Sequence, residues 1–133
     1  MPHIAFDLDF TPTGPQKQAL GRAVVKHFSE IMDTGTDHVA VLVRCHGKDD
    51  LVLGRADGPG RLAALVNADI RLGRTREQKR RLALAMIEEA HRQLGVPKRA
   101  VYVVYTEHDG EHFQLEEKVL PSWSTGEDPL APH

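Results

Sequence analysis

The chain has 133 residues, 41% of them hydrophobic and 27% charged, which excludes an intrinsically disordered protein and allows one compact domain. Its net charge of −2 argues against binding to nucleic acid or anionic membranes through bulk charge. A single cysteine, Cys45, excludes an internal disulfide and fits the cytoplasm, which is the location we expect. We expect no membrane span, which needs about 20 apolar residues, and no signal peptide.

The first third of the chain predicts a strand, a helix and a second strand. His3–Asp9 alternates apolar and polar residues, which is typical of a strand buried on one face. From Gln16 to about Met32, apolar residues recur at the spacing of a helix. The run Val39–Val43 is short, apolar and β-branched, so it predicts another strand.

The same order then recurs. Leu62–Ile70 predicts a strand, and Thr75 with Gln78 forms a capping-box pattern that opens a second helix. This helix is expected to end before Gly95, and Ala100–Tyr105 predicts the fourth strand. A shift of 62 positions superimposes the apolar residues of the two halves, which indicates an internal repeat.

The repeat predicts two tandem β-α-β units, at about residues 2–45 and 62–105, joined by a Gly-rich loop at 46–61. The strands of a right-handed β-α-β unit are parallel, so two units side by side form a four-stranded sheet covered by two helices. The fold class is therefore α/β (α+β). We expect residues 1–121 to form this domain and residues 122–133 a flexible tail. The uncovered sheet face predicts self-association.

The first candidate for chemistry is Pro2. Initiator methionine is normally removed before so small a residue, which leaves a free secondary amine at the start of the first strand. An α-amino group titrates at about 7.7–8.0, and nearby cations lower this pKa. Such an amine can act as a base or an acid near neutral pH.

The second candidate is the arginine pair Arg71 and Arg74, which follows the predicted third strand and precedes the second helix. Ligands of open α/β sheets favour this position. Arginine binds carboxylates through two hydrogen bonds, and a helix start adds partial positive charge. The pattern equally fits one solvated basic surface, and from the residues alone both interpretations stay open.

A proline that opens a β-α-β unit, a repeated unit and Arg-Leu-Gly-Arg-Thr before the second helix together resemble the tautomerase superfamily. Within it, the chain is most similar to the cis-3-chloroacrylic acid dehalogenase-like group. That group uses a tyrosine near the end of the fourth strand and a glutamate eleven residues later, and Tyr105 and Glu116 meet both conditions. The resemblance implies a tautomerase/MIF-like fold, catalytic roles for Pro2, Tyr105 and Glu116, and substrate binding by Arg71 and Arg74.

One position departs from this pattern. The group has an active-site histidine late in the first helix, where the ungapped alignment places Phe28. His27 lies one residue earlier, a rotation of about 100° on a helix. His27 is therefore the candidate for the missing substrate-binding residue, with a direction that differs from the group's.

The resemblance implies a cofactor-free enzyme in which Pro2 acts on a small 2-oxo, enol or α,β-unsaturated carboxylic acid. A neutral Pro2 would catalyse keto–enol tautomerisation. A protonated Pro2, with Tyr105 and Glu116 activating water, would hydrate an unsaturated acid or hydrolytically dehalogenate a 3-haloacrylate-like substrate. The resemblance also implies a homotrimer, without nucleic-acid or membrane partners.

Three alternatives stay open. The first is the 5-carboxymethyl-2-hydroxymuconate isomerase branch, which shares the Met-Pro-His start and an Arg-x-His motif like that of Arg44 and His46. The second is the malonate semialdehyde decarboxylase branch, which keeps a similar Gly-Arg-Thr turn. A non-catalytic ferredoxin-like binding module has the same element order, although aromatics, at 5%, are too few for base stacking.

Potential metal ligands at Glu107–His112 surround a turn, so we expect no metal site.

Overall fold

The computed structural model describes residues 2–56, 58, 60–116 and 118–119. Met1, with its predicted removal, and the predicted tail at 122–133 lie outside these residues. The described chain forms six strands, two α-helices and three short 3₁₀ helices. In order, the strands and α-helices are β1 (His3–Leu8), α1 (Gly14–Met32), β2 (Ala40–Cys45), β3 (Ala64–Arg71), α2 (Arg76–Leu94), β4 (Val101–His108), β5 (Gln114–Leu115) and β6 (Lys118–Val119).

The main sheet has four strands in the order β2-β1-β3-β4. Strand β1 pairs in parallel with β2, and β3 with β4, whereas the central β1–β3 pair is antiparallel. This confirms two adjacent β-α-β units in one sheet. A ferredoxin-like domain instead separates the two strands of each unit by a strand of the other. The observed strand order therefore rules out the ferredoxin-like alternative.

Both helices begin with a capping box. Thr75 Oγ1 accepts a hydrogen bond from the Gln78 amide at 3.1 Å, and the Gln78 side chain accepts one from the Thr75 amide at 2.9 Å, which confirms the predicted capping box. Thr13 and Gln16 form a second capping box at the start of α1. Such boxes satisfy the free N–H groups of a first helical turn, and so they fix where each helix starts.

The core lies between the helices and one face of the sheet. Apolar residues of α1 and α2 at helical spacing meet alternate residues of the central strands, as predicted. The fully buried side chains of this layer include Ile4, Phe6, Leu20, Val24, Phe28, Ile70, Leu82 and Met86. No described helix is long and apolar enough to cross a membrane.

The other face of the sheet is partly open. Tyr102 and Val104 of β4 are 55% and 45% exposed. Together with Leu53 and Leu65 they line a shallow cavity of about 360 Å³. Exposed apolar patches of this kind are typical of association surfaces.

Candidate active site

The antiparallel register of the central strands brings the start of β1 to the end of β3. His3 pairs with Asp69, and the register continues along the whole of β1. Pro2 directly precedes His3, and Ile70 directly follows Asp69, so the residue before β1 and the last residues of β3, including Arg71, lie at the same end of this strand pair. Pro2 itself is buried. The sheet therefore joins two candidate residues that are about 70 positions apart in the chain.

Both arginines at this end of the sheet are buried. Arg71 has no exposed surface and Arg74 is 6% exposed. Gly73 between them has a φ of 115°, a conformation that a residue with a Cβ adopts only under strain, and it turns the chain from β3 towards α2. Two guanidinium groups thus lie inside the protein at the carboxyl end of β3, which contradicts the alternative of a solvated basic surface.

Burial changes the electrostatics of the pair. Desolvation lowers the pKa of Arg71 to about 10. Desolvation, and secondly the charge of Arg71, lower the pKa of Arg74 to about 9. Both values lie above neutral pH, so both side chains are cationic there. The two charges repel each other, and an anion between them would relieve this repulsion.

Arg74 also contacts an aromatic ring. Its Cζ lies 5.5 Å from the centre of the Phe28 ring, which is within the range of a cation–π interaction. Phe28 belongs to the buried apolar face of α1. The sequence marks Phe28 only as a core residue, because the pattern of one helix does not show which group lies opposite. The contact with Arg74 is a feature that sequence reasoning missed.

His27 has a different environment. Its Nε2 lies 3.0 Å from Oε1 of Glu89, a buried residue of α2. Arg92 donates hydrogen bonds to both oxygens of the same carboxylate, at 2.6 and 2.8 Å. His27 therefore belongs to a polar contact between the two helices, whereas its neighbour Phe28 contacts Arg74. This placement gives no support to the substrate-binding role suggested for His27.

Tyr105 lies on the helix side of β4 and is half-buried. Its hydroxyl donates a 2.5 Å hydrogen bond to the backbone carbonyl of Lys79 in α2. Burial raises the pKa of this hydroxyl above its ordinary range. Glu116, the other predicted catalytic residue, is exposed and has a φ of 55° in the turn between β5 and β6. Neither residue is brought into a contact with Pro2 by the described strand pairing.

Other polar clusters lie outside this site. Ligand atoms of Asp109, Glu111 and His112 come within 4.8 Å of one another, but all three residues are exposed, and such surface groups are common without a metal. A larger hollow, of about 960 Å³, lies between α1 and the outer edge of β2. Its lining includes Lys17, Arg22 and Lys26, and contains neither Pro2 nor the two arginines.

Comparison with known proteins finds one protein family that matches part of the sequence, and solved structures that share the fold. The family described as tautomerase enzymes matches residues 65–121, a stretch that contains Arg71, Arg74, Tyr105 and Glu116. No curated protein matches the sequence.

Solved structures match most of the chain. A fused 4-OT described as a symmetric trimer has 23% identity and a TM-score of 0.77, covering 89% of this chain and 94% of its own. FG41 malonate semialdehyde decarboxylase has 23% identity and a TM-score of 0.72, covering 84% and 87%. Macrophage migration inhibitory factor of Toxoplasma gondii has 18% identity and a TM-score of 0.68, covering 89% and 99%. Residues 65–121 thus match the tautomerase family model, and over most of its length the chain shares the fold of these solved structures.

Proposed function

We propose that this protein is an enzyme of the N-terminal-proline type, in which Pro2 moves a proton on a small carboxylic acid that Arg71 and Arg74 hold. The observation that supports this best is the burial of both arginines at the end of β3, beside the start of β1. The substrate would be a 2-oxo, enol or α,β-unsaturated acid.

A carboxylate suits this arginine pair for physical reasons. Two buried like charges repel each other, and a carboxylate accepts paired hydrogen bonds from a guanidinium. Because the site excludes most water, each such hydrogen bond is stronger than it would be at the surface. The arginines would therefore supply both the affinity and the orientation of the substrate.

Pro2 acts as base or acid once its nitrogen is free. The start of β1 lies at the end of β3 that carries Arg71, and a neighbouring cation favours the neutral form of an amine, which can act as a base. A neutral Pro2 takes a proton from one atom of the substrate and returns it to another. The arginines also stabilise the negative charge that develops on the enolate oxygen. The product of these steps is a keto–enol tautomer.

The contacts of Tyr105 favour tautomerisation over the addition of water. The Tyr105 hydroxyl is bound to the backbone of α2 and its pKa is raised, so it is a poor activator of water. Hydration, hydrolytic dehalogenation and decarboxylation stay as the second candidate. A solved relative described by its decarboxylase and hydratase activities shares 20% identity, at a TM-score of 0.72.

The isomerase-like alternative rests on the Met-Pro-His start and on the motif of Arg44 and His46, and the side chains of this motif are engaged elsewhere. Arg44 donates two hydrogen bonds to the Asp7 carboxylate, at 2.8 and 2.9 Å, and His46 Nε2 lies 2.8 Å from the same group. Arg44 and Asp7 therefore offset each other's charge on the sheet. This arrangement gives no support to a substrate-binding role for the motif.

A homotrimer is part of the proposal. A solved relative is described as a trimer, and Tyr102 and Val104 leave an apolar surface on the open face of the sheet. Three chains of 14.8 kDa give about 45 kDa, which light scattering would measure. A monomer would contradict this part of the proposal. We expect the assembly in the cytoplasm.

The test combines intact-mass analysis with a phenylenolpyruvate ketonisation assay of the wild type, Pro2→Ala and Pro15→Ala. Pro15 is exposed in the first turn of α1 and serves as the matched control. We expect Pro2→Ala to lose about 10²–10⁴-fold in turnover with its fold intact, because a primary amine on a freer backbone replaces the fixed ring nitrogen. Retention of Met1, or equal ketonisation rates for the three proteins, would contradict the assignment of Pro2 as the residue that moves the proton.

A further inference from the structure

We propose that the hollow between α1 and the outer edge of β2 holds residues 120–133 of a neighbouring copy, with Trp123 as the anchor. The inference rests on the proposed homotrimer, and not on Pro2 or on the arginine pair. The hollow measures about 960 Å³. The 120–133 segment follows β6, the last strand of the described chain.

The hollow lies along a strand edge that is open to a further chain. In the described sheet β2 pairs with β1 alone, so its other side presents backbone N–H and C=O groups. Extended peptides bind such edges by adding a strand, and their alternate side chains enter pockets beside it. A hollow next to this edge therefore suits an extended segment that carries one large side chain.

The walls of the hollow suit an aromatic side chain. Four half-buried valines line it: Val25, Val39, Val41 and Val43. Gly21 keeps the space beside α1 open, since a Cβ at this position would meet nothing within 4 Å. Burial of a tryptophan removes about 150–250 Å² from water, which makes it a strong anchor. Trp123 is the only tryptophan of the chain.

The charges of the hollow and of the segment are opposite. The lining includes one acidic residue, Glu30, and three basic residues: Lys17, Arg22 and Lys26. The 120–133 segment contains two acidic residues, Glu127 and Asp128, and no lysine or arginine. Opposite charges on two surfaces attract the partners and fix their register. The cationic lining therefore favours this segment as the occupant.

The segment and the hollow belong to opposite edges of one sheet. Strand β6 contacts the 3₁₀ helix at Gly110–His112, which follows the edge strand β4, whereas the hollow lies at the other edge strand, β2. A segment that leaves at one edge and binds the opposite edge of the next copy makes a head-to-tail contact, and such contacts close into rings. At about 3.3 Å per extended residue, the segment spans up to about 46 Å, enough to reach a neighbouring copy.

Fluorescence of Trp123 in the full-length protein tests this inference, because no other tryptophan contributes. A synthetic peptide of residues 120–133 gives the signal of an exposed indole. We expect acrylamide to quench wild-type Trp123 at least about threefold less than the peptide, with emission shifted to the blue. Gly21→Leu fills the hollow, so we expect its quenching to rise to that of the peptide. Gly21→Ala changes the same glycine without filling the hollow, and as the matched control it should keep the protection.

Subunit exchange identifies which copy supplies the segment. Gly21→Leu keeps Trp123 but has a filled hollow, whereas Trp123→Ala has an open hollow and no tryptophan. When the two variants are unfolded in urea and refolded together, we expect protection from acrylamide to return, which does not happen when Gly21→Leu is refolded alone. If Gly21→Leu does not fold, the double variant Arg22→Glu with Lys26→Glu takes its place, since the reversed charges repel the segment.

The outcomes separate this inference from the proposed function. A wild-type Trp123 as accessible as the peptide would overturn the inference, and so would equal protection in Gly21→Leu. No return of protection on exchange would overturn it as well, since the segment would then bind its own chain. A trimer with accessible Trp123 would leave the proposed homotrimer standing, whereas a monomer in light scattering would contradict both. Ketonisation by the wild type decides on Pro2 independently of these results.

Discussion

Replacing Arg74 by methionine should abolish carboxylate binding and, at the same time, stabilise the ligand-free protein. Desolvation, and secondly the charge of Arg71, lower the pKa of Arg74 from its ordinary value to about 9 in the folded protein. At about 1.4 kcal/mol per pKa unit, this corresponds to roughly 5 kcal/mol for keeping the charge at a position that is 6% exposed. The contact with the Phe28 ring offsets about 2 kcal/mol of that cost.

Methionine is an unbranched apolar side chain without a charge, so it can stay buried at this position without the desolvation penalty. We expect Arg74→Met to raise the free energy of unfolding by about 1–3 kcal/mol. Urea unfolding followed by circular dichroism measures this, at one protein concentration because assembly adds to stability. The control is Arg80→Met: Arg80 is an exposed arginine of α2, and its loss should change stability by less than about 0.5 kcal/mol. A destabilised Arg74→Met beside a neutral control would refute the reasoning.

Two further predictions concern groups around the site. Tyr105→Phe removes the hydrogen bond to the backbone carbonyl of Lys79, so we expect it to lower the free energy of unfolding by about 1 kcal/mol. Tautomerase turnover should stay unchanged. A selective fall in the rate of hydration would instead favour the water-adding mechanism. At Glu89, burial acts to raise the carboxyl pKa, but the hydrogen bonds from His27, Arg92 and Gln93 outweigh it and hold that pKa below its ordinary range. The stability that the Glu89 carboxylate gives the fold is therefore present at pH values above the ordinary carboxyl pKa. It is lost as the pH falls through the pKa that this group has in the folded protein. We expect Glu89→Gln to be less stable than the wild type at pH 7, with a difference that disappears in acid titrations; a constant difference would contradict the linkage.

The sequence predicted those parts of the fold that short-range patterns determine. Alternation over His3–Asp9 and helical spacing before Met32 each reflect one buried face, so the elements and their order could be predicted. The capping box of Thr75 was predicted for the same reason. Its counterpart at Thr13 shows the same residue spacing, but the surrounding Pro and Gly residues indicated only a turn.

The electrostatics of the site could not be predicted in this way. Strand alternation predicts that of Ile70 and Arg71 only one faces the core, yet both are fully buried. Arg71 is the last residue of β3, two positions before the turn at Gly73, so the alternation of the strand no longer decides its burial. The contact between Phe28 and Arg74 joins two units of the repeat, and no local pattern encodes such a pair. Whether a charged group is buried, and which group it contacts, depend on how the helices pack on the sheet. The spacing of residues along one helix or strand does not determine either property.

The internal repeat places residues of opposite charge at the two ends of the central strand pair. A shift of 62 positions places Asp9 on Arg71, so these residues occupy equivalent places at opposite ends of the antiparallel β1–β3 pair. At the Asp9 end the protein satisfies the carboxylate itself: the Ala63 amide donates to it at 2.9 Å and Lys48 Nζ lies 3.2 Å from it. At the other end the equivalent residue is Arg71, a buried cation, and Arg74 follows three positions later. One change of sign within a repeated scaffold thus gives the two ends of the strand pair opposite charges, and the proposed carboxylate site lies at the cationic end.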